Sequence, residues 1–161
     1  MHACCGVDFG LCMNPEFLRE GSALHDTLHP NRVIIGEHDR KSGDALESLY
    51  RDFFGEEMPP TIRTNLPTAE LIKYANNAFL ATKISFINTV ANICQEIPRA
   101  DVAAVAEGIG LDERISPLFL NAGLGYGGSC LPKDAKALIA FSGSLGYIPV
   151  LFKAVEYVNN V

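Results

Sequence analysis

Apolar positions follow two regimes along this chain. Up to about residue 66 they come in short runs broken by glycine, proline and asparagine. Val7 to Met13 is apolar and bounded by Gly6 and by Asn14-Pro15, so it reads as a strand. Asn14 then looks like a helix N-cap with Pro15 at the first helical position, which would put Glu16 and Glu20 on one face. Arg32 to Gly36 reads as a second, buried strand. Ser42 to Phe54 has helical spacing, with Leu46, Leu49, Tyr50 and Phe53 on one side. Pro59-Pro60-Thr61-Ile62 opens a third extended segment. This alternation is α/β in character.

From Thr68, a plausible N-cap, the regime changes. No glycine or proline appears before Pro98, which predicts one helix of about 30 residues, long for a globular protein. Ile72, Phe79, Phe86 and Ile93 recur every seven residues, and Leu80, Ile84, Ile87, Val90, Ala91 and Ile97 widen or extend the stripe. Such a helix is buried on more than one side. Its expected neighbours are later helices of the same chain and a second copy of it, so a homodimer through the 68–97 helix is expected. Asp101 caps a shorter helix, Val102 to Glu107, closed by Gly108 and Gly110. Arg114 to Asn121 reads as a short amphipathic piece. Further helices are expected from Lys133 to Phe141 and from Pro149 to Val158. The predicted fold is a mixed α/β segment leading into an all-α region with one long helix. The domains are drawn at 1–66 and 67–161.

Composition narrows the function classes. The chain has 161 residues, 48 % of them hydrophobic and 20 % charged, with a net charge of −6. That is an ordinary globular composition. No apolar run approaches the roughly 20 residues needed to span a bilayer. Met1-His2-Ala3-Cys4-Cys5 lacks the character of a signal peptide, so a cytoplasmic address is the default. Without a basic block, nucleic acid is not an expected partner. Cys4, Cys5, Cys12, Cys94 and Cys130 form no C-x-x-C pair, and His2, His25, His29 and His38 have no ligand spacing, which speaks against a metal site. Cys94 sits in an apolar helical stretch and reads as core.

Cys130 has different surroundings. It lies between the glycine-rich stretch from Gly123 to Gly128 and a predicted helix start, with Lys133 and Asp134 close behind. A cysteine becomes a nucleophile where nearby cations or a helix N-terminus stabilise its thiolate. An inert loop cysteine is the equally open alternative. Lys73 and Asn77 share a helix face, and Lys83 and Asn88 also interrupt the long apolar stretch; alone they read as a solvated stripe. Glu16 and Glu20 alone read as charges complementing a helix dipole. Arg114 alone reads as the partner of Asp112 or Glu113. The glycine stretch follows no strand, and no full dinucleotide-binding unit is visible.

Three blocks in order carry more than their parts: Asn14-Pro15-Glu16-Phe17-Leu18-Arg19-Glu20-Gly21, Lys73-Tyr74-Ala75-Asn76-Asn77, and Gly125-Tyr126-Gly127-Gly128-Ser129-Cys130-Leu131-Pro132-Lys133-Asp134. Together they resemble the UDP-glucose/GDP-mannose dehydrogenase family over essentially the whole chain. Asn77-Ala78-Phe79-Leu80-Ala81 and Asp112-Glu113-Arg114-Ile115 favour the branch that oxidises UDP-glucose. Ser129 stands where the branch acting on UDP-N-acetyl-mannosamine usually has histidine.

The resemblance implies an NAD-dependent, two-step oxidation of a sugar C6 alcohol to a carboxylate, UDP-glucose to UDP-glucuronate. Cys130 would carry a thiohemiacetal and then a thioester. Lys73, Asn77 and Asp134 would surround the reacting oxygen, and Glu16 would be the base for hydrolysis. Glu16, Phe17, Leu18, Glu20, Lys73 and Asn77 would bind substrate. Phe119 and the loop from Asn121 through Gly125, Tyr126 and Gly127 would wrap its sugar–phosphate part. Arg114 would reach the sugar of a neighbouring subunit. Glu20 and Lys133 would face the cofactor. The resemblance also implies that residues 1–66 are the end of an NAD-binding Rossmann-like domain and 67–161 a central dimerisation domain. NAD binding and turnover are therefore not expected of this polypeptide alone. The competing readings are a non-catalytic dimerisation module, a remnant of such an enzyme, or the GDP-mannose-specific relative.

Overall fold

Three consecutive β-branched residues, Val33, Ile34 and Ile35, are almost wholly withdrawn from solvent, and the first part of the fold is organised around them. In the computed structural model, which describes residues 3–161, they form β2 (Val33–Glu37). Burying each contributes about 1.5–3 kcal/mol. β1 (Cys12–Met13) pairs antiparallel to β2, and β3 (Thr61–Asn65) pairs parallel to it, with Ile34 opposite Ile62 and Gly36 opposite Thr64. The sheet order is β1-β2-β3. Between the strands lie α1 (Ala23–Leu28), before β2, and α2 (Arg40–Phe54), which makes the crossover from β2 to β3. Asp39 caps α2, its carboxylate accepting from the Ser42 amide at 2.9 Å and the Ser42 hydroxyl at 2.7 Å.

An ion cluster ties β2, α2 and β3 together. The Arg63 guanidinium donates to Glu37, to Asp44 at 2.5 Å and to Glu47 at 3.0 Å. Asp44 first, then Glu37 and Glu47, hold it charged. Gly43 makes room for this cluster, since a Cβ there would overlap the Glu37 carboxylate and crowd Arg63. The apolar side predicted for α2 is only half used: Leu46 and Tyr50 are partly covered, while Leu49 and Phe53 remain exposed.

The rest is helical. α3 (Leu66–Glu96) is one helix of 31 residues, followed by α4 (Val102–Gly110), α5 (Leu131–Ser144) and α6 (Val150–Asn160). The fold is the predicted one: a small sheet with helices, then a mostly helical region with a long helix. The chain divides into two units, Met1–Lys73 and Tyr74–Val161. In the second, Ala81, Tyr126 and Val155 form a buried cluster flanked by Ile84 and Leu131. The Ser85 hydroxyl donates to the Val155 carbonyl at 3.1 Å. Among the described residues no helix is long and apolar enough to cross a membrane.

Several local expectations are corrected. The first strand shrinks from Val7–Met13 to Cys12–Met13, because residues 4–9 close a turn in which the Gly6 amide donates to the Phe9 carbonyl at 2.8 Å. Asn14 is no helix cap. Its amide donates to the Ile34 carbonyl at 2.7 Å and its oxygen accepts from the Tyr50 hydroxyl at 2.5 Å, which pins the segment to β2 and α2. Glu16 and Glu20 therefore share no helix face. Asn65, not Thr68, caps α3, accepting from the Thr68 amide at 2.9 Å. α4 runs on through Gly108 to Gly110, where the missing Cβ lets Pro117 approach. Arg114 to Asn121 is not helical: Ser116 and Phe119 adopt φ of +66° and +64°, and the Lys83 ammonium takes the carbonyls of Ile115 and Ser116. His2 lies outside the described residues.

Candidate functional site

In the first unit the Asn14–Gly21 segment folds as a loop whose first acid, Glu16, faces a lysine. The Lys73 ammonium donates to the Glu16 carbonyl at 2.6 Å and to its carboxylate at 2.9 Å. The other carboxylate oxygen accepts from the Leu18 amide at 2.7 Å. Lys73 is well covered, with 15 % of its side chain exposed, and Glu16 is more open at 56 %. Two cations approach the Phe17 ring: the Arg32 guanidinium sits 3.8 Å and the Lys73 ammonium 5.5 Å from its centroid. Glu20 and Leu18 are exposed.

In the second unit the polar centre is the start of α5. Asn77, on α3, donates from its amide to Asp134 at 2.7 Å, and both residues are buried. The Asn76 amide donates to the Asn77 oxygen at 3.1 Å, which orients the Asn77 nitrogen toward the acid. Lys133 approaches the second oxygen of Asp134 at 3.1 Å. That hydrogen bond, and then the Asp134 charge, raise the lysine above its ordinary range. The Asp134 amide donates to the Cys130 carbonyl at 2.9 Å, so the acid stands one turn after the cysteine. Cys130 occupies the N-cap of α5, is exposed, and lies 3.6 Å from the Ser129 hydroxyl.

The glycine loop leads into this corner. Gly125 has φ of +110° and Gly128 +77°, conformations that glycine adopts without strain. Tyr126 turns inward into the cluster with Ala81 and Val155; burial, then the charge of Glu156, push its hydroxyl up. Gly127 faces open space. Asn121 lines an open groove of about 400 Å³ with Val102, Ala106, Pro117 and Leu120. Phe119 is 39 % exposed. Arg114 is bound to Asp112 at 2.6 Å and projects into solvent.

The structure thus brings Glu16, Phe17, Leu18 and Lys73 together, and separately Asn77, Cys130, Lys133 and Asp134. Arg32 against Phe17, Asn76 against Asn77 and Asn159 against Tyr126 were given no role from the sequence. Each is a common polar residue at the border of an apolar element, and nothing in local spacing marks it. Asn88 drew notice only as an interruption of α3.

The chain belongs to the UDP-glucose/GDP-mannose dehydrogenase family: the family's central domain matches residues 67–161 and its NAD binding domain residues 1–54. Among curated relatives, the UDP-glucose 6-dehydrogenase YwqF of Bacillus subtilis is 51 % identical over 154 residues, 96 % of this chain and 34 % of the relative. The UDP-glucose 6-dehydrogenase TuaD of the same organism is 53 % identical over 151 residues, 94 % of this chain and 32 % of the relative. A UDP-glucose dehydrogenase structure from Pyrobaculum islandicum superposes with a TM-score of 0.88 at 44 % identity, covering 96 % of this chain and 35 % of that one. The chain spans about a third of the length of these relatives.

The implied cofactor is NAD. At the junction of β2 and α2 the Asp39 carboxylate fills the helix N-terminus, the place a pyrophosphate would need, so that junction does not fit one. The Lys133 side chain is 70 % exposed and its ammonium is paired with Asp134 at 3.1 Å.

Proposed function

We propose that this chain is part of an NAD-dependent nucleotide-sugar dehydrogenase that oxidises UDP-glucose to UDP-glucuronate. The observation that carries the reading is the buried Asn77–Asp134 hydrogen bond one helical turn from an exposed Cys130. A buried amide held by an acid in this way is rigid, and a rigid donor such as Asn77 stabilises charge that develops on a reacting oxygen. The identity to UDP-glucose 6-dehydrogenases supports the choice of sugar.

In this reading Lys133 and Glu20 would lie beside NAD, which when bound would supply the oxidant for both steps. The Cys130 sulfur adds to the carbonyl carbon of the intermediate aldehyde and forms a thiohemiacetal, whose oxidation leaves a thioester. Asn77 and Lys73 donate to the oxygen that carries the developing charge. Asp134 orders the attacking water, and Glu16 takes its proton. Water adds to the thioester carbonyl, the C–S bond breaks, and the sugar carboxylate leaves Cys130 as a thiol. Lys133 and Glu20 face the cofactor. Phe17, Leu18, Phe119 and the 121–127 loop contact the nucleotide sugar.

The domain division follows the same reading: residues 1–66 close the NAD-binding domain and 67–161 form the central one. A second copy packs on α3, supported by Phe79, Phe86 and Ile93, each more than half exposed in the single chain. Arg114 then reaches the neighbouring sugar.

The test uses the full-length enzyme with UDP-glucose, and with GDP-mannose in parallel. Two NADH per UDP-glucuronate are expected, with hydroxylamine trapping an acyl group on Cys130. Cys130→Ala should lower uronate formation at least a thousandfold. Parental turnover in that variant, or preference for GDP-mannose, would overturn the reading.

A further inference from the structure

We infer that Asn159 is a positioning residue for the nucleotide-sugar loop, holding it in a binding shape before the ligand arrives. This rests on the reading of residues 121–127 as substrate-binding. Asn159 lies in the last turn of α6 and makes a two-point clamp on one peptide residue. Its side-chain oxygen accepts from the Tyr126 amide at 2.7 Å, and its side-chain nitrogen donates to the Tyr126 carbonyl at 3.0 Å. Both backbone polar groups of Tyr126 are therefore satisfied by one side chain, as a neighbouring strand would satisfy them.

Three further observations show that the loop is fitted to this clamp. Gly125 passes so close to Asn159 that a Cβ would lie 2.6 Å from the amide oxygen, and its φ of +110° independently favours glycine. The Tyr126 ring is anchored beneath, in the cluster with Ala81 and Val155. Three residues before Tyr126, the Asn88 side chain on α3 accepts from the Gly123 amide at 2.9 Å. Side chains from two helices thus hold the inner side of the loop at Gly123 and Tyr126. The outer side is open: Leu124 is fully exposed, and Gly127 has nothing within 4 Å of where a Cβ would be.

A glycine-rich loop left to itself samples many conformations, and a ligand would bear the cost of ordering it. The clamp removes that cost in advance. Asn159 touches no reacting atom in this account, so its loss weakens binding in ground and transition states alike: KM rises and kcat changes little.

The experiment compares Asn159→Ala, Asn159→Asp and Ile35→Val in the full-length enzyme, with hydrogen exchange of the Tyr126 amide as a second readout. Asn159→Ala should raise the KM for UDP-glucose at least tenfold, lower kcat less than threefold, and speed Tyr126 exchange at least tenfold. Asn159→Asp keeps the acceptor for the Tyr126 amide but sets an oxygen against its carbonyl, so it too should raise KM more than twofold. If Asn159→Ala does not fold, the Asp variant carries the same comparison. Ile35→Val thins the packing of the sheet, where Ile35 is fully buried, and leaves the loop and its clamp; it should lower Tm with KM within twofold. The inference fails if the Asn159 variants keep KM within twofold, if Tyr126 exchange is unchanged, or if Ile35→Val raises KM as much as Asn159→Ala. Full turnover by Cys130→Ala would instead refute the dehydrogenase reading, while Tyr126 exchange still reports on the clamp.

Discussion

Gly36 lies near the end of β2, where there is no room for a side chain. A Cβ would stand 2.5 Å from that of Ala69, 3.0 Å from the Asn65 carbonyl oxygen and 3.2 Å from the Leu66 Cα. Two of these neighbours are backbone, and Ala69 is completely buried. Gly36→Ala should therefore destabilise the protein by about 1–3 kcal/mol, the usual cost of overpacking. Urea unfolding checks this through a lower midpoint at unchanged slope. Gly43 differs in kind, because its close neighbours are the ends of the Glu37 and Arg63 side chains. Neither glycine shows its purpose in the sequence, since the group that needs the space comes from elsewhere in the chain.

At the scale of elements, α3 and α5 meet through the Asn77–Asp134 pair. Removing either side chain leaves a buried polar group without its partner, so Asn77→Ala and Asp134→Ala should each cost about 1–3 kcal/mol. The double variant should cost less than the sum, and a double-mutant cycle by thermal unfolding measures the difference. The long helix was legible from the sequence because a run without glycine or proline has few alternatives. The sheet and its crossover helix were legible from short apolar runs and their breaks. The segment from Asn14 to Glu20 misled, because an asparagine before a proline looks the same whether it caps a helix or reaches across to Ile34 and Tyr50. Cys130, Lys133 and Asp134 stood out in one motif. Asn159 did not, because its partner Tyr126 is 33 residues away and the contact is to backbone, which leaves no mark on residue type.

For the whole molecule, the telling feature is what one copy leaves uncovered. Phe79, Phe86 and Ile93 are 64 %, 53 % and 54 % exposed, while Ala78, Ala81, Ser85 and Ile87 on the same helix are buried. The later helices of the chain do not cover the seven-residue stripe. A helix of 31 residues is about 46 Å long at 1.5 Å per residue, so the open stripe is extensive. A self-complementary pairing of two copies would bury it. Phe86→Glu should convert a dimer into a monomer at micromolar concentration, with sedimentation equilibrium as the measurement. A parent protein that is already monomeric there would defeat the proposal.

The three-stranded sheet has one more consequence. Among the described residues β3 is bonded on one side only, to β2, and Ile62 on it is half exposed. Its other side is a row of backbone donors and acceptors that any extended peptide could match. Handled as an isolated piece, the chain therefore carries a template for strand-to-strand aggregation. A charge there opposes such pairing, so Ile62→Lys is the conservative way to blunt that edge.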